Sequence, residues 1–263
     1  MTQHEDIMLR LDHLSVGYGR RTVVEDATTS VGGSQVIALV GANGCGKSTL
    51  LKTISGELRP VAGSVMIGGR NLSEMSGREL ASKVAIVTSG AEAAGGGLRV
   101  RQLVSLGRQP YTGFFGKLSA SDTRIINEAM EATGISGKQD AYVATLSDGE
   151  RQKAMISRAI AQQTPFLLLD EPFSFLDPAA RIEIFAMLGR LASAEGKLIV
   201  LSTHDIAQAL RMVGRLWTIA DGRFLSLTPR EIIGTGTINR LYPGRDVTFD
   251  PEAGDFLLNH KNA

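Results

Sequence analysis

Residues 36–49 read Val-Ile-Ala-Leu-Val-Gly-Ala-Asn-Gly-Cys-Gly-Lys-Ser-Thr, an apolar run followed by a glycine-rich turn, a lysine and two hydroxyls. The apolar run is short and rich in branched residues, which is typical of a strand buried on both faces of a parallel sheet. The turn matches G-x-x-x-x-G-K-[ST], in which the backbone curls until several N–H groups converge on a phosphate. A chance glycine-rich turn is the alternative, but the pattern is rare at average composition. The stretch therefore predicts a nucleotide-binding α/β domain.

The side chains and amides of this phosphate loop have separate predicted roles. Lys47 is expected to reach the β- and γ-phosphates, and the Ser48 hydroxyl to ligate magnesium. A helix predicted from residue 47 to about residue 55 adds the positive end of its dipole. The predicted nucleotide-binding residues are Gly41, Ala42, Asn43, Gly44, Cys45, Gly46, Lys47, Ser48 and Thr49.

Length and composition exclude several classes of protein. With 263 residues the chain can bury a large core, as one α/β domain or as a core with a lobe. Charged residues make up 21% and the net charge is +1, so no nucleic-acid surface is indicated. The single cysteine, Cys45, forbids an intrachain disulfide. No stretch approaches the roughly 18 apolar residues of a membrane span, so a membrane role requires a partner.

Hydrophobic periodicity predicts elements on both sides of the phosphate loop. Alternation at residues 8–16 predicts a strand that joins an antiparallel sheet with residues 22–24 and 64–67. Apolar spacing of three and four residues between positions 100 and 142 predicts an inserted helical lobe. The end of the chain predicts a hairpin, a helix and a last hairpin, at residues 216–227, from Thr228-Pro229 onward, and at residues 246–258.

A second candidate phosphate-binding helix starts within residues 146–152, which read Leu-Ser-Asp-Gly-Glu-Arg-Gln. Ser147 and Glu150 have capping-box spacing, so a helix is predicted from here to about residue 162. Its N–H groups and partial positive charge suit a phosphate. A purely structural capped helix has the same pattern, so both interpretations stand at this point.

An acidic pair follows the apolar strand predicted at residues 166–169. Carboxylates at the end of a buried parallel strand are costly to desolvate, which favours a position near a cation. Asp170 is predicted to hold magnesium or its bound water. Glu171 is predicted to orient and deprotonate a water aimed at the γ-phosphate.

Three further residues have two interpretations each. Tyr18, between two glycines, could stack on an adenine or be an ordinary turn tyrosine. Asp177 precedes a proline and, by its chemistry alone, fits a helix N-cap. His204 follows a strand predicted at residues 197–202 that should neighbour the phosphate strand. A neutral imidazole there could contact the γ-phosphate or the attacking water, although a lone histidine is usually structural.

In order and spacing these motifs resemble the ATP-binding cassette (ABC) ATPases, from residue 9 to about residue 250. The resemblance covers six motifs: the Walker A motif at residues 41–48, the family signature at residues 146–152, the Walker B motif with its catalytic glutamate at residues 166–171, the D-loop at residues 174–177, the switch histidine His204 and the A-loop tyrosine Tyr18. It implies ATP and Mg²⁺ as ligands. It also implies catalytic roles for Glu171, His204 and Lys47, nucleotide contacts for Tyr18, Ser147, Gly149 and Asp177, and metal contacts for Ser48 and Asp170.

The resemblance also implies the fold. We expect an α/β P-loop NTPase core with a mostly parallel sheet, an N-terminal antiparallel β subdomain and an inserted α-helical lobe. The chain would be one ABC ATPase domain over residues 1–263. Its expected parts are a RecA-like core with the antiparallel subdomain at about residues 1–90 and 160–227, a lobe at about 95–158, and an extension at about 228–263.

Residues 106–122 resemble the ATPases of importers for iron-siderophore, haem and cobalamin. This subgroup implies a bacterial importer that depends on a periplasmic binding protein. Two copies of the chain would lie on the cytoplasmic face of the membrane, under two copies of a permease. ATP would be enclosed head-to-tail, between one copy's phosphate loop and the other's Ser147 and Gly149. Tyr111 and Phe114 are predicted near the permease, with a packed loop as the alternative.

Two residues depart from the family pattern. Ser89 stands where a glutamine usually ends the strand predicted at residues 82–88, and a serine reaches less far toward magnesium and the attacking water. Asp148 replaces a signature glycine, and an acid repels a γ-phosphate although it is favourable in a first helical turn. Two other functions remain open: a soluble ABC ATPase without a permease, and a nucleotide-gated regulatory module with little hydrolysis.

Overall fold

The computed structural model describes residues 7–19, 21–88, 97–113, 116–241 and 247–258. Ser89 and Phe114 lie outside these ranges, so the expectations for them stay predictions. The chain divides into two units. The first comprises Met1–Gly32, Val36–Asn71 and Val200–Ala263, and the second comprises Gly33–Gln35 and Leu72–Ile199. The expected single-domain boundaries stay a prediction as well.

The strands, in chain order, are β1 (Ile7–Tyr18), β2 (Arg21–Gly32), β3 (Gln35–Val40), β4 (Ala62–Ile67), β5 (Arg70–Asn71), β6 (Val84–Val87), β7 (Phe166–Leu169), β8 (Leu198–Thr203), β9 (Arg215–Ala220), β10 (Arg223–Leu227), β11 (Val247–Asp250) and β12 (Asp255–Leu258). The α-helices are α1 (Lys47–Ile54), α2 (Gly77–Lys83), α3 (Val100–Ser105), α4 (Ala120–Ala132), α5 (Asp148–Ala161), α6 (Pro178–Glu195), α7 (Ile206–Met212), α8 (Pro229–Gly234) and α9 (Thr237–Arg240). Within the described ranges, none of these helices has the length and apolar character needed to cross a membrane.

In the first unit the strands follow the order β5-β4-β1-β2-β10-β9-β3-β8. β1 pairs antiparallel with both β2 and β4, which confirms the predicted N-terminal antiparallel sheet. β3 pairs parallel with β9, and β9 and β10 form the predicted hairpin. β3 is buried along nearly its whole length, as its apolar sequence predicted. The phosphate loop therefore leaves the sheet from an interior strand.

β2 is much longer than the sequence predicted, since only residues 22–24 had a clear strand pattern. Its inward residues are Val24, Ala27 and Val31, whose spacing breaks strict alternation. The register with β1 is interrupted by irregularities, and Asp26 has a φ of 52°. Such bulges shift the alternation of inward and outward side chains along the strand. The extent of β2 is therefore set by its pairing with β1 and not by its own local pattern.

The second unit combines a parallel strand pair with helices. β6 and β7 pair in register from Val84 opposite Phe166 to Val87 opposite Leu169. α3 and α4 pack on α5, and together they form the helical lobe that the periodicity predicted. The core of this lobe contains Leu103, Val104, Ile126, Met130 and Ile156, each at most 2% exposed. Burial of such side chains stabilises a fold by about 1.5–3 kcal/mol each.

Candidate active site

The phosphate loop of the first unit requires glycine at specific positions. Gly46 is the N-cap of α1 and has a φ of 112°, which L side chains rarely adopt. A Cβ at this position would lie 2.9 Å from Cγ2 of Val24. Gly41 is confined as well, because a Cβ added at this position would lie 2.7 Å from the Ile219 carbonyl oxygen. The loop therefore packs against β2 and β9 and leaves no room for a side chain at Gly41 or Gly46.

Lys47 places a positive charge inside the curl of the loop. Its Nζ donates to the carbonyl oxygens of Gly41, at 2.8 Å, and Ala42, at 3.1 Å, and the residue is only 6% exposed. The first turn of α1 contains no acidic residue, and no side chain caps its N–H groups. Ser48 lies half-buried in this turn, and Thr49 is buried. This end of the helix therefore combines a cation, a hydroxyl and open amides, which suits an anionic phosphate.

Cys45 serves as a packing residue of the loop. Its Sγ would contact a Cβ on Gly41 at 2.7 Å, so the thiol fills the space that the glycine leaves. Burial raises the pKa of the Cys45 thiol, although the nearby Lys47 charge acts in the opposite direction. The raised pKa favours the protonated thiol at neutral pH. Asn43 and Gly44, by contrast, form the exposed rim of the loop.

Tyr18 lies at the end of β1 and is 55% exposed. Its strand pairs with β2, where Val16 is opposite Val24, and Val24 is the side chain against which Gly46 packs. The end of the β1–β2 hairpin is therefore adjacent to the phosphate loop. An exposed ring at this place fits the stacking prediction better than the alternative of a packed turn tyrosine.

His204 directly follows β8, the strand next to β3 in the first unit. Its side chain is exposed, so it is not a core histidine. The next residue, Asp205, caps α7 by accepting from the Gln208 amide at 2.9 Å. His204 is thus placed at a strand end beside the strand that carries the phosphate loop, as predicted.

The acidic pair of the second unit has two different environments. Asp170 is 2% exposed, and its amide donates to the Val87 carbonyl at 2.8 Å. Glu171 is half-buried and has a φ of 49°, an uncommon conformation for a residue with a side chain. Ser174 donates a hydrogen bond from Oγ to Glu171 Oε2 at 3.1 Å. Backbone strain of this kind is concentrated at functional sites, where a side chain must be aimed.

Two side chains, one in each unit, have the oxygen chemistry that Mg²⁺ prefers. A serine hydroxyl in the first turn of α1 and a buried carboxylate after β7 are hard oxygen ligands. No group of three or more His, Cys, Asp or Glu side chains suitable for a metal is found in the described part of the chain. Magnesium sites with few protein ligands are usual where phosphate oxygens and waters complete the metal shell.

The signature helix α5 begins with the predicted capping box. The Ser147 Oγ accepts from the Glu150 amide at 3.3 Å and donates to Glu150 Oε2 at 3.1 Å. The Ser147 amide donates to the same carboxylate oxygen at 3.0 Å. The Ser147 hydroxyl thus has both an acceptor and a donor role within its own chain. To donate to a phosphate, it must rotate away from Glu150.

Two basic residues compensate the acids of this first turn. Arg151 Nη1 binds Asp148 Oδ1 at 3.0 Å, while its Nη2 donates to the Leu146 carbonyl at 3.0 Å. Lys138 Nζ lies 3.2 Å from Glu150 Oε1. The Ser147 amide, followed by Lys138, lowers the pKa of Glu150. Asp148 is therefore drawn to the side of Arg151, so the repulsion expected from its charge is reduced.

The D-loop contacts the signature helix within the second unit. A Cβ on Gly149 would lie 3.1 Å from the Phe175 carbonyl oxygen, so only glycine allows this approach without displacement. Asp177 caps α6 by accepting from the Ala180 amide at 2.9 Å, and this bond is the main cause of its lowered pKa. The N-cap interpretation of Asp177 is thereby confirmed, while its contact with nucleotide stays a prediction.

A comparison with known families assigns this set of motifs. The family described as "ABC transporter" matches residues 24–174, more than half of the chain. The chain belongs to the ABC transporter family. The predicted family and the predicted ATPase activity of ABC type are therefore confirmed.

Three relatives of this ABC protein are named as ATP-binding proteins of transport or import systems. The ferric enterobactin transport ATP-binding protein FepC of Escherichia coli is 35% identical, over 95% of this chain and 93% of that protein. The iron(3+)-hydroxamate import ATP-binding protein FhuC of Bacillus subtilis is 42% identical, over 77% of this chain and 75% of that protein. The cobalamin import ATP-binding protein BtuD of Halobacterium salinarum is 34% identical, over 92% of this chain and 60% of that protein.

Solved structures confirm the fold class of this ABC protein. An ATP-binding subunit of an ABC transporter superposes with a TM-score of 0.76 at 28% identity, covering 88% of this chain and 94% of that one. A dimeric ATP-binding cassette in a post-hydrolysis state superposes with a TM-score of 0.75 at 24% identity, covering 85% of this chain and 99% of that one. The second likeness shows the fold alone.

Sequence reasoning missed the residues that orient the predicted ones. Lys138 and Arg151 neutralise the acids of the signature turn, and Ser174 binds the catalytic candidate Glu171. Only the i,i+3 spacing of Asp148 and Arg151 was a usable signal in the sequence. Lys138 is distant in sequence from Glu150, so no local pattern could have indicated that ion pair.

Proposed function

We propose that this ABC protein hydrolyses ATP as a subunit of a bacterial importer for an iron chelate or cobalamin. The observation that carries the proposal is the phosphate loop, whose glycine-capped helix presents Lys47 and open amides to a phosphate. The names of FepC, FhuC and BtuD support import of iron chelates or cobalamin as the work to which hydrolysis is coupled. The transported compound itself contacts the permease and the binding protein.

ATP binding follows from the first unit. The loop amides and the α1 dipole take the phosphates, and Lys47 exchanges its carbonyl partners for β- and γ-phosphate oxygens. Tyr18 stacks on the adenine. Ser48 and Asp170 are the residues that would hold Mg²⁺, and the ion would neutralise charge that develops on the phosphates.

Hydrolysis requires a base for the attacking water. Glu171 has this role, because its strained backbone and the hydrogen bond that it accepts from Ser174 hold the carboxylate in a defined orientation. The His204 imidazole, exposed after β8, contacts the γ-phosphate or the water. Phosphoryl transfer depends mainly on positioning and on stabilisation of negative charge, so these contacts suffice without a covalent intermediate.

The signature turn acts on a second copy of the chain. Ser147, Gly149 and the α5 amides cover the γ-phosphate of the partner's ATP, and Asp177 lies at the same edge through the D-loop contact of Gly149. Closure of this head-to-tail dimer completes each site. Loss of the γ-phosphate removes the anion that both copies bind, and the dimer opens.

Two copies of the subunit work at the cytoplasmic face of the membrane, bound to permease subunits. A periplasmic binding protein delivers the transported compound to the permease and does not contact this chain. Tyr111 is 43% exposed on the helical lobe and is a permease contact. We expect the chain to copurify with an integral membrane protein. Isolation of a functional complex that contains no membrane protein would contradict the proposed binding to a permease.

The test of hydrolysis is Glu171→Gln, which keeps the shape of the side chain and removes its basicity. We expect ATP to bind as before, turnover to fall by about 10²- to 10⁴-fold, and a dimer to accumulate. Nucleotide binding, phosphate release and gel filtration measure the three effects. Glu183→Gln, on the exposed side of α6, is the matched control. Steady hydrolysis by Glu171→Gln would refute the role of this base.

A further inference from the structure

The helical lobe contains a buried arginine that the ATPase mechanism does not use. Arg108 ends the short 3₁₀ turn Leu106–Arg108 and is 5% exposed. Its Nε donates to Asp122 Oδ1 at 2.8 Å, and its Nη1 donates to the Ala161 carbonyl at 2.7 Å and to Gln163 Oε1 at 3.1 Å. Burial of a guanidinium is costly unless its donors are bonded, so these contacts hold it in one place.

Two of the partners of Arg108 belong to different helices of the lobe. Asp122 lies in the first turn of α4, where it also accepts hydrogen bonds from Ser119, and its pKa falls to about 2. The Ser119 hydroxyl, the Ser119 amide and Arg108 are the main causes, in that order. Ala161 is the last residue of α5, where a cation interacts favourably with the helix dipole. Arg108 therefore joins the start of α4 to the end of the signature helix.

The chain around Arg108 lies directly on α5. A Cβ on Gly107 would lie 2.3 Å from the Arg158 carbonyl oxygen, so the backbone approaches the helix as closely as glycine allows. This close approach leaves residues 106–113 little freedom to slide along α5. Movement of α5 must carry the segment with it, because packed elements of a protein interior transmit displacement.

The outer side of the same segment presents Tyr111. The Arg108 guanidinium carbon lies 4.3 Å from the centre of the Tyr111 ring, and the Tyr111 amide donates to the Arg108 carbonyl at 3.0 Å. Arg78 of α2 adds hydrogen bonds to the carbonyls of Pro110, at 3.2 Å, and Thr112, at 3.4 Å. The ring is therefore held on the guanidinium while a large part of it remains exposed.

We propose that Arg108 is a positioning residue that fastens the exposed Tyr111 ring to the C-terminal end of the signature helix, so that the permease contact moves with that helix. This inference rests on the proposed function, since it needs a permease that binds at Tyr111. The N-terminus of α5 covers the ATP of the partner copy, and its C-terminus carries Arg108. A displacement that begins at the nucleotide thus reaches the permease contact through one helix and one side chain.

The test is Arg108→Lys in the complete complex with its permease, reconstituted in lipid nanodiscs. Lysine keeps the charge but lacks the planar guanidinium group. It therefore cannot donate to Asp122 and the Ala161 carbonyl and also contact the Tyr111 ring. The quantity compared is the ATPase activity of the complex divided by that of the isolated subunit. We expect this ratio to fall by about tenfold. The matched control is Arg124→Lys, an exposed arginine of the same lobe, and its ratio should equal that of the wild type.

A merely structural role predicts a different result. If Arg108 only stabilises the lobe, Arg108→Lys lowers both activities together and the ratio stays unchanged, which overturns the inference. If Arg108→Lys does not fold, Gln163→Asn decides, because it withdraws one Arg108 acceptor while asparagine tolerates the φ of 51° at this position. We then expect the ratio to fall by about threefold, and an unchanged ratio overturns the inference.

Failure of the proposed function is distinguishable from failure of this inference. A wild-type subunit that hydrolyses no ATP, or a permease that does not stimulate it, contradicts the proposed function and the inference together. A working wild-type complex in which Arg108→Lys retains the full ratio contradicts only the positioning role.

Discussion

The helices α1 and α5 are both assigned to phosphate, yet their N-termini are built in opposite ways. α1 is capped by Gly46 in a left-handed conformation, with no side-chain cap and no acid in its first turn. α5 is capped by the Ser147–Glu150 box and has acids at positions 148 and 150. The positive end of α1 is thus open, whereas at α5 the amides of Ser147 and Glu150 are already bonded within the capping box.

This difference matches the two proposed roles, in which α1 binds phosphate within its own chain and α5 requires a partner copy. The amides of α1 need no rearrangement of a side-chain cap, and Lys47 has only to exchange two backbone carbonyl partners for phosphate oxygens. At α5, hydrogen bonds between Ser147 and Glu150 must be exchanged before the hydroxyl can donate to a phosphate. In the proposed dimer, the capped end becomes part of a nucleotide site only when a second copy brings ATP to it.

The largest expected effect is at the open end. Lys47→Ala removes the cation from the loop, so we expect ATPase activity to fall by about a thousandfold and ATP affinity to weaken. Nucleotide binding and phosphate release measure both. Lys52→Ala, one turn further along α1, should stay within about twofold of the wild type. If the two variants behave alike, the loop charge has no special role and the contrast with α5 fails.

A smaller effect is expected at the capped end. Ser147→Ala removes the cap, at a cost of about 1 kcal/mol of stability. It also removes a donor to the partner's γ-phosphate, so we expect turnover to fall by about 10- to 100-fold. Urea unfolding and phosphate release measure the two effects.

The control for Ser147→Ala is Thr228→Ala, which breaks the same kind of capping box on α8. It should cost similar stability, while its ATPase activity stays within about twofold of the wild type. Equal losses of activity in the two variants would mean that Ser147 acts only through stability.

A modest effect is expected from Asp148→Gly, which restores the usual signature glycine. Removal of the carboxylate lessens repulsion of the γ-phosphate, so we expect the KM for ATP to fall by about two- to threefold. Thermal stability should decrease slightly, since an acid in a first turn is favourable and glycine is a poor helix former. The control Asp148→Asn removes the charge but keeps a side chain, so it separates the effect of the charge from the effect of glycine on the helix backbone. A higher KM in both variants contradicts the assigned repulsion.

The smallest expected effect is a change in pH dependence. Hydrogen bonds and Lys138 hold the pKa of Glu150 below its ordinary value of 4.5. The ionised carboxylate therefore contributes stability above pH 4.5, and this contribution is lost as the pH falls through the lower pKa of the folded state. Glu150→Gln should be less stable than the wild type at pH 7, by about 0.5 kcal/mol, and the difference should shrink on acidification.

Urea unfolding between pH 7 and pH 3 checks this prediction. Glu128→Gln, an exposed partner of Arg124 in α4, is the matched surface control. A difference between wild type and Glu150→Gln that is constant over the whole range contradicts the role of the Glu150 charge in the cap.

Much of the fold and of the site could be predicted because the signals are local. The strand at residues 166–169 and the capping box of α5 occur where the sequence predicted them. In each case a few neighbouring residues define the hydrogen bonds or the buried run. β2 is the counterexample, since its bulges hide its alternation and only pairing with β1 specifies its length.

The sequence by itself determined the family, the order of the motifs and the chemistry of each motif residue. Glycine at a tight turn, serine at a cap and carboxylates after a buried strand follow from requirements that span only a few residues. Only the tertiary structure decided which charges meet, such as Lys138 with Glu150 and Arg108 with the end of α5. The reason is physical, because the energy of a charge depends on its burial and its partner, and folding brings both from distant parts of the chain.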